Sequence, residues 1–236
     1  MMGRFSQRSY EKEIMDDLEF EGPVLEQSLK ELRTINKLLG GNKVTTTGLD
    51  FIMKKYPQEN YLIADIGCGG GDMIRVMGDW AKKKNIKCEF IGIDANPNTI
   101  EFAKERLNDL DHVNFRAQNV FEDSFEKEQV DIITCTLFTH HFTDKELLRL
   151  LSSFISKARL GIIINDLHRH RLAYYSIKLL TRLFSKSPMV QNDGPLSVLR
   201  AFSKQDLQLL IKSSNIKTPQ IKWFWAFRWQ VIILTP

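Results

Sequence analysis

Four glycines fall within five positions, at Gly67, Gly69, Gly70 and Gly71, directly after an apolar run that ends at Asp65. Glycine lets a chain turn tightly with positive φ and lets a ligand touch backbone without meeting a Cβ, and a helix that follows offers free N–H groups. That combination cradles a nucleotide-like ligand. Spacing narrows the choice: counted from Gly67, the last position of a G-x-G-x-x-G fingerprint is Asp72, whose charge would repel a pyrophosphate. No Lys follows the glycines as a P-loop requires. The next apolar run, "FIGID", ends at Asp94, whose carboxylate can accept hydrogen bonds from both hydroxyls of a ribose. The ligand read from these residues is a nucleoside without its phosphates.

Two further clusters can handle protons. His140 and His141 adjoin in "TLFTHHFTD", and His titrates near neutral pH, where it can take a proton from a phenol or an activated carbon acid. Asn165, Asp166, His168, Arg169 and His170 bunch in "GIIINDLHRHRLAYY". Helix capping accounts for Asn165 or Asp166, but not for His168 and Arg169 as well, so substrate binding or proton transfer competes with it. Cys68, Cys88 and Cys135 show no CxxC or Cys/His spacing and sit in or beside apolar runs, which reads as buried thiols; no metal is expected.

Strand and helix patterns alternate from residue 60 onward. "YLIADI", "CEFIGI", "VNFRA", "VDIITC" and "GIIIND" read as strands, and residues 72–84, 97–109 and 144–157 as helices between them. Strict alternation implies a parallel sheet with helices on both faces, an α/β doubly wound fold. The end departs from this: too few residues separate "IKWFWAF" from "WQVIIL" for a crossover helix, so these two runs pair antiparallel. Before the core, "SYEKEIMDDL" and "PVLEQSLKELRTINKLLGG" read as helices, the second opening at Pro23 and closing on Gly40 and Gly41. The expected organisation is one domain, 1–236, with an N-terminal helical cap (1–45), a cofactor core (60–166), a helical insert (167–200), and a last helix and strand pair (201–236). With 43% hydrophobic residues and a net charge of +4, the chain is an ordinary globular protein with no concentrated basic charge of the kind nucleic-acid binders carry. An N-terminus without an apolar signal region and the lack of any long apolar window read as an intracellular, cytoplasmic protein.

"IADIGCGGGD" and "GIDANPNTIEFAK" resemble the first two motifs of class I S-adenosylmethionine-dependent methyltransferases, and the resemblance runs in order through residues 60–166. It implies a Rossmann-like seven-stranded sheet with a reversed last strand, and S-adenosylmethionine as cofactor with S-adenosylhomocysteine as product. It implies that Gly67, Cys68, Gly69 and Ala95 border the cofactor, that Asp65 organises the loop and that Asp94 holds the ribose. "FRAQNVFED" falls where the family usually places an acid near the adenine amino group; Asn119, next to Val120, stands there and can accept that bond through its amide oxygen. "VDIITCTLFTHHFTD" resembles the fourth motif, which sets Thr136 and Leu137 near the cofactor and His140 and His141 near the substrate. His141 is then the first candidate base, His140 the second and His168 the third. Asp166, Arg169 and Tyr175 are the expected substrate contacts.

The insert carries no acidic residue from Leu167 to Asn192, against basic Arg169, Arg171, Lys178, Arg182 and Lys186. Leu172, Tyr175, Leu179, Leu180 and Leu183 share one helical face with Lys178 and Arg182 opposite. A lid over an apolar substrate is the favoured reading; peripheral membrane contact through 168–186, an RNA-facing patch and plain packing are the alternatives. "NDGPLSVLRAFSKQDLQLL" reads as a turn and an irregular stretch before a helix started by Ser203 and Asp206. "INKLLGG", "NDLHRH" and "DGPLSVLRAFS" together are similar to a bacterial branch that modifies quinones, phenolic lipids or polyketides. The expected function is therefore methyl transfer to an aromatic or lipophilic small molecule, at a phenolic oxygen before carbon, by a monomer or homodimer that engages no nucleic acid. An RNA or protein methyltransferase and a non-catalytic cofactor-binding protein are the competing readings.

Overall fold

The computed structural model describes residues 3–122, 129–214, 216 and 219–235. Helices α1 (Pro23–Leu38) and α2 (Gly41–Lys55) precede β1 (Asn60–Ile66), α3 (Asp72–Lys84), β2 (Lys87–Asp94), α4 (Pro97–Arg106) and β3 (Val113–Ala117). Then follow β4 (Val130–Thr136), α5 (Asp144–Lys157), β5 (Ala158–Leu167), α6 (Arg171–Phe184), α7 (Pro188–Arg200), α8 (Lys204–Ser213), β6 (Gln220–Phe224) and β7 (Arg228–Leu234). The described strands form one seven-stranded sheet in the order β3-β2-β1-β4-β5-β7-β6. Pairs from β3 to β5 are parallel, whereas β7 runs antiparallel to both β5 and β6. The chain winds outward in one direction from β1 to β3 and in the other from β4, so the loops after β1 and β4 part and open a crevice at their carboxyl ends.

Both faces of the sheet are covered, which is why its central strands read as unbroken apolar runs. On one face Leu147, Leu150 and Phe154 of α5 pack on Ile133, Ile162 and Val231; on the other Ile52, Ile74 and Met77 pack on Ile63, Ile132 and Ile163. Phe154 is wholly buried, and truncating such a ring to Ala costs about 3–5 kcal/mol. The reciprocal bonds of a capping box start α5 at Thr143 and α8 at Ser203.

Three expectations are corrected. "SYEKEIMDDL" is not a helix: only Ile14–Asp16 form a single 3-10 turn, in a strap whose polar groups find partners elsewhere. Arg8 donates to the carbonyls of Arg200, His140 and Phe142 and pairs with Asp144, while Asp193 accepts from the amides of Ile14 and Met15. The stretch "NDGPLSVLR" is not a turn but the body of α7, with Pro195 inside it; buried Met189, Val190, Val198 and Leu199 hold it helical. Asn165 and Asp166 cap no helix. They lie within β5, and His170 caps α6 by accepting from the Leu172 amide.

Candidate active site

Two cavities meet at the crevice. The first, about 460 Å³, lies over the glycine loop and is lined by Gly67, Gly69, Asp94, Ala95, Asn119, Val120 and Leu137, with Tyr10, Met15, Asp16, Phe138 and His141 completing it. Gly67 holds φ at +67°, and a Cβ there would fall 2.1 Å from the Phe138 ring, so this position serves the protein's own packing. Beside Gly69 a Cβ would meet nothing nearer than Leu29 at 3.8 Å, so the loop leaves open space there, as a bound nucleoside needs. Asp94 is already drawn into the loop: Oδ2 accepts from the Gly69 amide at 3.0 Å and Oδ1 from the Asn96 amide at 3.0 Å. Each oxygen keeps a lone pair for a ribose hydroxyl. Burial raises the Asp94 carboxyl, while these amides work the other way.

Asp65, Cys68 and Thr136 stand behind this wall. Thr134 donates to Asp65 at 2.7 Å, and burial pushes the Asp65 carboxyl up to about 7. Cys68 is buried with its thiol raised by burial, and the Thr136 and Thr45 hydroxyls bond at 3.1 Å. Asn119 spends its side-chain oxygen on the Phe121 amide at 3.1 Å, which fixes the turn after β3.

The second cavity, about 330 Å³, is predominantly apolar, walled by Leu32 and Ile35 of α1, Leu39 just after it, Ile177 and Leu180 of α6, Met189 and Val198 of α7, and Phe227. Glu13, His140 and His141 of its lining cluster together, and Asp193 and Arg228 are the other ionisable groups on its wall. Met15, Leu137 and His141 line both cavities and form the wall between them. Leu137 reaches that wall with a left-handed backbone, φ +55°, its amide donating to the Asn165 carbonyl.

Each histidine is held by a carboxylate. His140 Nδ1 lies 2.7 Å from Asp166 Oδ1, and Asp166 also accepts from the Thr139 hydroxyl and the amides of His140 and Leu167. Burial opposes ionisation of Asp166, but His140 and these donors outweigh it and hold the carboxyl well below the usual range. An ionised Asp166 keeps the proton of a neutral ring on Nδ1 and leaves Nε2 with its lone pair. That Nε2 has no hydrogen-bond partner, and neither has Glu13 Oε1, 3.6 Å away. Burial pushes Glu13 up to about 7 despite the opposing pull of His141 and Arg200. His141 Nδ1 pairs with Asp16 at 2.5 Å, and Asp16 pairs in turn with Arg200. Ligand atoms of Glu13, His140 and His141 lie within 4.8 Å of one another, a spacing that suits a cation, but the Arg200 guanidinium, 3.6 Å from Glu13 Oε1, already brings positive charge there.

His168, Arg169 and Tyr175 stand away from both cavities. His168 Nδ1 accepts from the Trp223 indole at 3.2 Å, and burial, with His170 and Arg169 nearby, pushes the ring down to about 4. Arg169 is buried on the carbonyls of Phe5 and Ala201 and on Asp206. Tyr175 is 59% exposed on α6. The residues that sequence reasoning missed, Glu13, Asp16 and Arg200, come from the strap and the end of α7. The signal for Glu13 and Asp16 was the acidic run "EKEIMDD", read as helix; Arg200 carried none.

A family model described as "Methyltransferase domain" matches residues 63–159. A ubiquinone/menaquinone biosynthesis C-methyltransferase, UbiE, of Campylobacter jejuni is 23% identical over 207 residues, covering 78% of this chain and 86% of that protein. Among solved structures, the plantazolicin methyltransferase BpumL, in complex with a triazolic desmethylPZN analog and SAH, superposes with a TM-score of 0.65 at 15% identity over 87% of this chain and 89% of that one. The magnesium protoporphyrin IX methyltransferase ChlM from Synechocystis with bound SAM gives 0.54 at 12% identity over 84% and 81%.

Proposed function

We propose that this chain is a class I S-adenosylmethionine-dependent methyltransferase acting on small molecules, a reading supported by the matched methyltransferase domain and by its relatives, and that it methylates a phenolic oxygen of an aromatic, lipophilic acceptor held in the second cavity. The observation that carries this reading is the common wall: Met15, Leu137 and His141 border both the glycine-loop cavity and an apolar cavity whose lining includes His140, itself paired with Asp166. S-adenosylmethionine, held along Gly69 and Asp94, supplies a methyl group on a positively charged sulfur. The chain does the rest. Ile35, Leu39, Ile177 and Phe227 surround the acceptor ring and exclude water, which favours a reaction in which charge is lost. His140 Nε2 takes the proton of the hydroxyl, and Asp166 stabilises the imidazolium that forms. Glu13, largely protonated below about pH 7, donates to a second oxygen on the acceptor or to the same one. The geometry thus favours His140 over His141 as the base, with His141, held by Asp16, in the wall.

A second reading, methylation at a ring carbon, is favoured by one observation: the curated relatives are named C-methyltransferases. The same base serves, because a phenolate is also nucleophilic at its ring carbons. Incubation with methyl-deuterated S-adenosylmethionine and a series of alkylphenols and quinols, followed by mass spectrometry and NMR, tests both. A labelled methyl ether supports the oxygen, and a labelled ring methyl selects the carbon. Label on RNA or protein but on no phenol, or bound S-adenosylhomocysteine with no transfer at all, overturns the reading.

A further inference from the structure

The helix that roofs the acceptor cavity does so with the face opposite to the one its sequence advertises. Ala173, Ile177 and Thr181 of α6 turn inward to the cavity, with Leu180 at its edge. The more apolar stripe points out: Leu172, Tyr175, Leu179 and Leu183 recur at spacings of three and four residues and are 62%, 59%, 59% and 63% exposed, with Phe184 at 76%. Two more large apolar side chains stand out beside the cavity: Leu38, 78% exposed and next to wall residue Leu39, and Trp225, 70% exposed and itself part of the wall. Single exposed apolar residues need no explanation, but a stripe continuous with the rim of an apolar cavity does.

We propose that this face docks the protein on an anionic lipid bilayer, with the cavity rim held against the acyl boundary. Charge identifies the surface. Helical spacing of three or four residues from Tyr175 or Leu179 sets Arg171, Lys178 and Arg182 at the edge of the stripe rather than opposite it; with Lys186 just beyond the helix they are all exposed, and no acidic residue lies between Leu167 and Asn192. An apolar stripe flanked by cations is the pattern of a helix lying in a membrane interface, where each Lys or Arg gains attraction to acidic headgroups. A second copy of the chain fits less well, because a two-fold contact through α6 would set these cations against their own kind. Trp225 supplies the amphipathic ring that settles at headgroup depth. The proposal rests on the reading of the second cavity as an acceptor site only for its purpose: a lipophilic acceptor would pass from the bilayer into the cavity without crossing water.

The test is sedimentation of the full-length protein with vesicles of phosphatidylcholine alone or of an equal mixture with phosphatidylglycerol, alongside calorimetric titration with S-adenosylhomocysteine. Binding to the mixed vesicles should be about tenfold tighter or more than to phosphatidylcholine alone and should weaken with salt. Leu179→Glu with Leu183→Glu, both exposed and outside the cavity wall, should lose vesicle binding by about tenfold or more while keeping nucleoside affinity. Lys178→Glu with Arg182→Glu should abolish the preference for the anionic vesicles. Failure of the unaltered protein to sediment with either vesicle, or indifference to both pairs of substitutions, overturns the proposal. A dimer that Leu179→Glu with Leu183→Glu dissociates, with no vesicle capture, also overturns it, in favour of a second copy. Loss of S-adenosylhomocysteine binding in the unaltered protein would instead strike the cofactor site and leave the docking result to stand alone.

Discussion

Glu13→Gln should stabilise the protein at neutral and alkaline pH and leave it nearly unchanged in acid. The Glu13 carboxyl is buried beside an apolar cavity with Oε1 accepting no hydrogen bond, and burial moves it from 4.5 up to about 7. Between those values the folded chain holds a proton that the unfolded chain has released, so stability falls as pH rises through this window and stays reduced above it. The interval from 4.5 to about 7, at about 1.4 kcal/mol for each pH unit, corresponds to about 3 kcal/mol. Gln has the same shape, does not titrate, and its amide oxygen can keep the hydrogen bond from the Ser197 hydroxyl at 2.9 Å. The stability difference between variant and native protein should therefore be near zero below pH 4.5 and approach about 3 kcal/mol in favour of Gln above about pH 7. Asp65, also raised to about 7 by burial, titrates in the same window but is common to both proteins and cancels in the difference. Urea unfolding followed by tryptophan fluorescence over a pH series, compared at constant m, provides the measurement. A native protein that is the more stable of the two above pH 7 would instead mean that an ionised Glu13 is held by Arg200 and His141.

Asp94→Ala should weaken S-adenosylhomocysteine binding by about 1.5–3 kcal/mol, the range for hydrogen bonds to a charged group, as read by calorimetry; unchanged affinity would remove Asp94 from the ribose. Asp166→Asn should lower turnover by about 10²–10⁴-fold with S-adenosylhomocysteine affinity retained, and a folded variant with normal turnover would remove His140 from proton transfer. Ile177→Trp, which fills the second cavity from α6, should raise the acceptor KM steeply while sparing nucleoside binding; an equal loss of both would show that the two cavities are not separate sites.

The core was legible because its signals are local. Apolar runs such as "CEFIGI" and "VDIITC", bounded by amphipathic segments, can settle only as buried parallel strands, and the short link before "WQVIIL" forces the reversal of β7. The glycine loop and Asp94 were legible for the same reason, since motif and position sit together in sequence. What was not legible depends on distant partners. Asp193, Gly194 and Pro195 carry every local signal of a turn, yet burial of the flanking Met189, Val190, Val198 and Leu199 keeps α7 helical. Asp16 meets His141 across 125 positions and Arg200 across 184, so no local pattern could reveal that the strap closes the site. The sequence showed that α6 has an apolar face but not which way it turns; small residues on the other face, Ala173 and Thr181, pack more closely over the cavity.

Methyl transfer across the wall between the two cavities can be seen in a crystal structure of the protein with S-adenosylhomocysteine and a para-alkylphenol. The nucleoside should lie along Gly69 and Asp94 with its sulfur at Met15, Leu137 and His141, and the phenolic oxygen across that wall within hydrogen-bond distance of His140 Nε2, the alkyl chain running toward Leu180 and Trp225. A phenol bound outside the second cavity, or a sulfur turned away from the shared wall, would contradict transfer across that wall.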